Sequence, residues 1–221
     1  GYTTKLASMM KSGGSMNYDF VSATNYKASQ LRSERVANIR LPLVESRAKA
    51  ILCIPTDASA SGTQALLSTV GTYITDFDLE STSLINPWNA NHSQRTGLVG
   101  VSDHLSTYQL FYDGSLNPSR KVKCGKLSSK KSVDAQPLIE LEKALVMGGI
   151  MPFSMLKFRE NFCIGRPLSL QNGVYDARGK DFALQLEYQE ALAPVKDKLW
   201  MNWCVHLRRI EIKGDSISLQ I

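Results

Sequence analysis

The sequence predicts a mainly β protein, a sandwich or barrel of strands with one inserted helix and long loops. The first reason lies in the last twenty-odd residues. Leu199, Met201, Trp203, Val205 and Leu207 alternate with Trp200, Asn202, Cys204, His206 and Arg208, and a period of two is the mark of a half-buried strand. The second is that the strand-like runs upstream follow one another across turn residues. They do not alternate regularly with helices, as a doubly wound sheet requires.

Taken in order, residues 1–34 read as an N-terminal arm or edge segment. Thr4 to Lys11 can form a short helix with Leu6, Met9 and Met10 on one side, stopped by Gly13 and Gly14. The polar stretch that follows, to Glu34, alternates weakly around Tyr18, Phe20 and Val21 and reads as an edge strand. Residues 35–221 form the body. Val36, Ile39, Leu41 and Leu43 make one strand, with Pro42 marking an edge or strand end. Residues 48–54, nearly continuous apolar, suit a strand buried on both faces and ended by Pro55. The segment 59–71 is a loop with helical turns around Leu66, Leu67 and Val70, and 76–101, which holds Asn86, Pro87 and Trp88, is a long surface excursion.

A strand returns at 105–112, followed by turn chemistry at Asp113–Gly114 and Asn117–Pro118. Residues 134–148 carry the inserted helix. Leu138, Leu141 and Leu145 recur at helical spacing, Glu140 and Glu142 fall on the polar side, Pro137 suits the first turn, and Gly148–Gly149 ends it. A turn at 153–158, strands at 161–170 and 182–188, and a turn at Asn172–Gly173 follow. In the last strand the apolar phase slips at Arg208–Arg209 and continues on Ile210 and Ile212, which predicts a bulge. Lys213, Gly214 and Asp215 then turn the chain into a final strand bearing Ile217, Leu219 and Ile221.

The 221 residues are 43% hydrophobic and 21% charged with net charge +6. That supports a real core and argues against bulk disorder. Acidic partners are permitted, but the one dense basic run, Arg120, Lys121 and Lys123 continuing to Lys126, Lys130 and Lys131, reads first as a solvated loop. Cys53, Cys124, Cys163 and Cys204 are widely spaced, and three of them sit in apolar runs, so free buried thiols and a reducing site of synthesis are expected. No run approaches the ~18–20 apolar residues of a membrane span.

Catalytic signatures are missing from the chain. There is no GxSxG, GxGxxG or GxxxxGK[ST], and the SxxK spacing at Ser128-Ser129-Lys130-Lys131 lacks the context a nucleophile needs. His92, His104 and His206 form no HxH or HxxxH pair, so neither a metal nor any other cofactor is expected, and no enzyme activity. The carboxylates Asp76, Asp78 and Glu80 are the only hint of a calcium cluster and read otherwise as a solvated strand edge. The tripeptide-like runs 178–181 and 213–215 read as hairpin turns, and Asn91–His92–Ser93 as a coincidental glycosylation pattern. Trp88 in its polar loop is the main exposed-aromatic candidate.

The order of features has a family likeness. STYQLFYDGSLNPSRKV is followed by the helix PLIELEKAL, then NFCIGRPLSL, GVYDARGKDFALQLEY, and finally LWMNWCVHLRRIEIKGDSISLQI. Over roughly residues 35–221 this resembles the C-terminal half of major capsid proteins of the double jelly-roll lineage, the group of virophage, polinton-like and adenovirus-like capsids. The resemblance implies a jelly-roll domain at 35–221. The chain is too short for two full jelly rolls, so it would be one portion of a longer protein or a single jelly-roll capsid protein.

The job implied is structural. Copies would self-assemble as homotrimers into an icosahedral shell with other capsid proteins, with a packaged genome on the inner face. The location implied is the virion, after synthesis in the host cell interior. The arm 1–34 and the loop 72–101 would be the assembly elements, with Tyr18, Phe20, Trp88, Asn89 and His92 as contacts. The alternatives are a minor or vertex capsid protein, or a lectin-like β-sandwich binding module.

Overall fold

The computed structural model describes residues 8, 13–57, 105–124, 135–150, 162–168, 173–188, 197–213 and 216–220. The expected helix at 4–11 (apart from Ser8), the loop 59–71, the excursion 76–101 and the turn 153–158 lie outside them. Nine strands and one helix are described, in the order β1 (Ser15–Gln30), β2 (Val36–Arg40), β3 (Ala48–Asp57), β4 (Leu105–Tyr112), β5 (Ser115–Lys123), α1 (Ala135–Gly148), β6 (Ile164–Pro167), β7 (Phe182–Tyr188), β8 (Lys198–Lys213) and β9 (Ser216–Gln220).

The strands form two antiparallel sheets. One runs β1-β8-β3-β6 with β9 added beside β8, and the other runs β2-β7-β4-β5. The pairs β1/β8, β2/β7, β3/β6 and β4/β5 are the successive rungs of one long antiparallel ribbon whose tip is the β4–β5 hairpin. Rolling that ribbon so that its rungs fall alternately in two sheets generates the eight-stranded jelly roll. At the tip, Asp113 (φ 52°) and Gly114 (φ 77°) both take the left-handed conformation that a two-residue primed hairpin turn demands.

The inner faces meet in one core. Ile51, Cys53, Trp200 and Cys204 come from the first sheet, and Ile39, Tyr108, Leu110, Leu184 and Leu186 from the second; all are buried. On β7 the apolar set Phe182, Leu184, Leu186 and Tyr188 lies on this inner face, as its period of two requires. None of the four cysteines is in a disulfide, and Cys53, Cys163 and Cys204 are buried. Burial pushes the Cys163 thiol up to about 12 and those of Cys53 and Cys204 in the same direction, so all three are held protonated and inert.

Helix α1 closes the open side between β5 and β6. Leu138, Leu141 and Leu145 enter the main core, while Ala144 packs with Ala50 and Val205. It ends in a Schellman motif: Ile150 N–H donates to Leu145 O (2.8 Å), Gly149 N–H donates to Val146 O (3.1 Å), and Gly149 supplies the positive φ of 72°. Glu140, placed on the polar side by the helical spacing, is buried instead. The Arg166 guanidinium of β6 meets it and also reaches Asn117, and Lys143 adds a third contact at 3.0 Å. A buried carboxylate is tolerated when it is paired in this way.

Strand β8 differs from the expectation. The β1–β8 register runs without a shift from Gln30↔Lys198 to Ser15↔Lys213, so there is no bulge at Arg208–Arg209. The even residues Trp200, Asn202, Cys204 and His206 form the inner face, in phase with Ile210 and Ile212. The odd apolar set from Leu199 to Leu207 lines the outer face. That outer face is apolar for its own reason: α1 packs on part of it, bringing Gly148 against Val205. The apparent slip arises where one apolar face yields to the other. The irregularity sits instead on β3, between Ala48 and Ala50 opposite His206. The basic run 120–123 is not a loop either but part of edge strand β5, with Val122 in the core and Arg120, Lys121 and Lys123 exposed.

Candidate assembly surface

The C-terminal half of β8 outruns the sandwich. Strand β3 pairs with it only as far as His206, and beyond that point β9 takes the place of β3. Residues 209–213 of β8 are therefore flanked by β1 and β9 as a three-stranded flap. Register fixes what shares a face there. Met16, Ile212 and Ile217 form one cross-strand row, and Tyr18, Ile210 and Leu219 form the next. This face continues the inner face of the sheet beyond the core. Met16, Tyr18, Ile217 and Leu219 are 36, 62, 74 and 50% exposed. Exposed apolar rows of this kind make the flap a candidate interaction surface.

On the other face the flap is held in register by charge. Asp19 takes two hydrogen bonds from Arg47 (3.1 and 3.0 Å) and two from Arg209 (2.8 and 3.1 Å), tying β1 to β8 and to the start of β3. The Arg209 and Arg47 guanidinium groups hold the Asp19 carboxyl far below the usual carboxylate range. The group is solvent-exposed, so its value lies in orientation more than in net stability.

A buried polar cluster sits at the base of the flap. Glu45 is 3% exposed and accepts hydrogen bonds from Tyr26 Oη (2.7 Å) and Val44 N–H (3.1 Å). Burial works to raise its carboxyl, but hydrogen bonds from Tyr26 and Thr24 outweigh that and hold it below its usual range. His206 is 2% exposed with no partner on Nε2. Burial drives the His206 imidazole below its ordinary 6.5, with Arg208 acting the same way and Glu45 opposing.

A depressed histidine pKa means that the unfolded chain takes up the proton first as pH falls. The stability His206 contributes is thus fully present above about pH 6.5 and is lost below it. Glu45 has the same sign, acting below its own unfolded value near 4.5. Lowering the pH from 7.5 to 5.5 is expected to reduce the urea midpoint, and His206→Gln should flatten that dependence. An unchanged pH slope in the variant would sink the assignment.

Of the residues expected at assembly contacts, Tyr18 and Phe20 lie on this side of β1, Tyr18 within the exposed rows and Phe20 half-buried at their base opposite Arg208. Trp88, Asn89 and His92 lie outside the described residues, as do Asp76, Asp78 and Glu80. The alternation places Ile210, Ile212, Ile217 and Leu219 in strands but does not show that they share one face, with Ile217 and Leu219 exposed and Ile210 and Ile212 half-buried. The signal was present: Ile210 and Ile212 mirror Ile217 and Leu219 across Gly214 and Asp215 in the sequence. Among the described residues no group of His, Cys, Asp or Glu is arranged to hold a metal ion, and no helix is long and apolar enough to cross a membrane.

Fold and flap together define the class: a jelly-roll β-sandwich with one inserted helix and a protruding C-terminal hairpin. Solved structures of viral capsid proteins share that fold. The chain is similar to the quasi-atomic model of the PBCV-1 virus capsid, with a TM-score of 0.54 and 10% identity over 99% of this chain and 54% of that one. It is similar also to PBCV-1 VP54, solved as a crystal structure and fitted into a reconstruction of the virophage Sputnik, with a TM-score of 0.50 and 11% identity over 94% and 52%. The chain thus spans about half the length of the capsid chains it matches. No protein-family model and no curated protein matches the sequence.

Proposed function

We propose that the chain is a structural capsid subunit, or one jelly-roll portion of such a subunit, with no enzymatic role. It associates with copies of itself, as trimers, and with other capsid proteins into an icosahedral shell that meets a packaged genome on its inner face. The observation that carries this reading is the exposed apolar flap: Met16, Tyr18, Ile217 and Leu219 stand exposed on paired strands, where another subunit would cover them. The viral capsid folds that the chain is similar to support it. Residues 1–34, which include the edge strand β1 of the first sheet, form one assembly element and 72–101 the second, with Trp88, Asn89 and His92 among its contacts. Free buried thiols fit synthesis in a reducing host-cell interior before incorporation into the virion.

The test is the mass of the purified species by light scattering, with electron microscopy of the same material. Trimers or larger assemblies burying more than ~1,000 Å² per contact are expected. Tyr18→Asp combined with Leu219→Asp should shift the population to the monomer at least tenfold while leaving the circular dichroism spectrum intact. A wild-type chain that stays monomeric at all concentrations overturns the proposal.

A further inference from the structure

The outer face of the four-stranded sheet carries a second, chemically distinct feature. Strands β2, β7 and β4 place Asn38, Gln185 and Gln109 in one cross-strand row: Asn38 is the register partner of Gln185, and Gln185 of Gln109. The next row holds Val36, Glu187 and Thr107. Side chains of both rows line a concavity of about 350 Å³ together with Lys121, at the lower end of the ~300–1,000 Å³ typical of small-ligand sites.

The chemistry of this concavity is selective. Its two charges cancel, since Lys121 Nζ lies 2.5 Å from Glu187 Oε2, which also accepts from Thr107 Oγ1 at 3.1 Å. Gln109 is 3% exposed, and its amide donates to Pro118 O at 2.5 Å, which fixes its orientation. Asn38 is exposed and Gln185 half-buried at the surface. A carboxamide offers a donor and an acceptor side by side, the complement of a pair of neighbouring hydroxyls, each of which both donates and accepts.

We propose that this carboxamide row is a binding site for a neutral polyhydroxylated ligand, a mono- or disaccharide, with Asn38 and Gln185 as the hydrogen-bonding pair and Gln109 as the fixed member that holds the row. It is separate from the flap, which belongs to the other sheet, and it stands whether or not the chain assembles. Anionic ligands are disfavoured because Glu187 already takes the one lysine of the site.

Saturation-transfer NMR on the full chain tests this with methyl α-mannoside, galactose, N-acetylglucosamine and lactose as neutral probes, and sialic acid and heparin disaccharide as charged ones. Transfer to at least one neutral sugar is expected, weakened tenfold or more by Gln185→Ala and by Asn38→Asp. Both substitutions are at surface positions that leave the core untouched. Tyr18→Asp, on the flap, should leave binding unchanged. No transfer to any neutral probe at millimolar concentration overturns the proposal, as does binding confined to the charged probes or binding indifferent to both variants.

Discussion

Gly165→Val is expected to destabilise the protein by about 3 kcal/mol and to loosen helix α1 from the sheet, the upper end of what overpacking costs. Gly165 lies on β6 where α1 crosses it. A Cβ built there would lie 2.8 Å from the Leu141 Cα, 2.8 Å from the Leu141 Cδ1 and 3.0 Å from the Ala144 Cβ. The nearest of these atoms is backbone, so no side-chain rotation can relieve the clash and the helix itself must move. Moving it withdraws Leu141 and Leu145 from the core and strains the contact between Arg166 and Glu140. Even Gly165→Ala should lower the urea midpoint measurably. Gly179→Ala makes the control. Gly179 has φ +69°, and a Cβ added there would meet nothing within 4 Å, so its replacement meets only the ~1 kcal/mol of left-handed strain. Equal losses at the two positions would mean that Gly165 is not there for close approach.

Helix α1 shows what the sequence can reveal and what it cannot. Leu138, Leu141 and Leu145 announce a helix and its buried stripe because the period is local. Glu140 does not announce its burial, because its partner Arg166 is 26 residues away on a strand. Strand β7 was fully legible, since one face is apolar and the other is not. Strand β8 was legible as a strand but not in its orientation: both faces carry large apolar residues, and Trp200 and Trp203 argue for opposite choices. Only the burial of Asn202 and His206 beside Trp200 settles which face is inside. Strand β5 was hidden by Pro118 and its basic residues, which an edge strand tolerates because its outer side meets solvent.

The candidate surfaces were less legible still, for the same reason. Tyr18 and Phe20 stood out as aromatics in a polar stretch, but the patch around Tyr18 exists only because β1, β8 and β9 are in register. The row Asn38, Gln185 and Gln109 has no sequence signature at all. Each residue sits in its own strand, on the polar side of an ordinary alternation, and only the pairing of β2, β7 and β4 makes them neighbours. Jelly-roll order brings together residues that are distant in the chain, so sites built across strands stay hidden until register is known.

Trp200→Ala is the substitution with the largest expected cost, ~3–5 kcal/mol in urea unfolding, because it empties the most enclosed large side chain of the core. More than volume is at stake. Trp200 Nε1 donates to Gln30 Oε1 at 2.8 Å, and Tyr188 Oη, from the opposite sheet, lies 3.3 Å from the same oxygen. Gln30 in turn donates through Nε2 to Glu34 O at 3.1 Å. One buried amide therefore links β1 to both sheets, at the last residue of the strand whose other end carries Tyr18. Trp200→Phe separates the two contributions. It keeps most of the apolar volume and removes one hydrogen bond, for which a loss of ~1 kcal/mol plus a smaller cavity cost is expected. If Gln30 anchors β1, amide exchange in 15–30 should speed up in Trp200→Phe more than exchange in β7. The flap would then lose its fixed register before the core unfolds, and self-association should weaken with no substitution at the surface. Uniform acceleration of exchange in β1 and β7 would instead make Trp200 a packing residue alone.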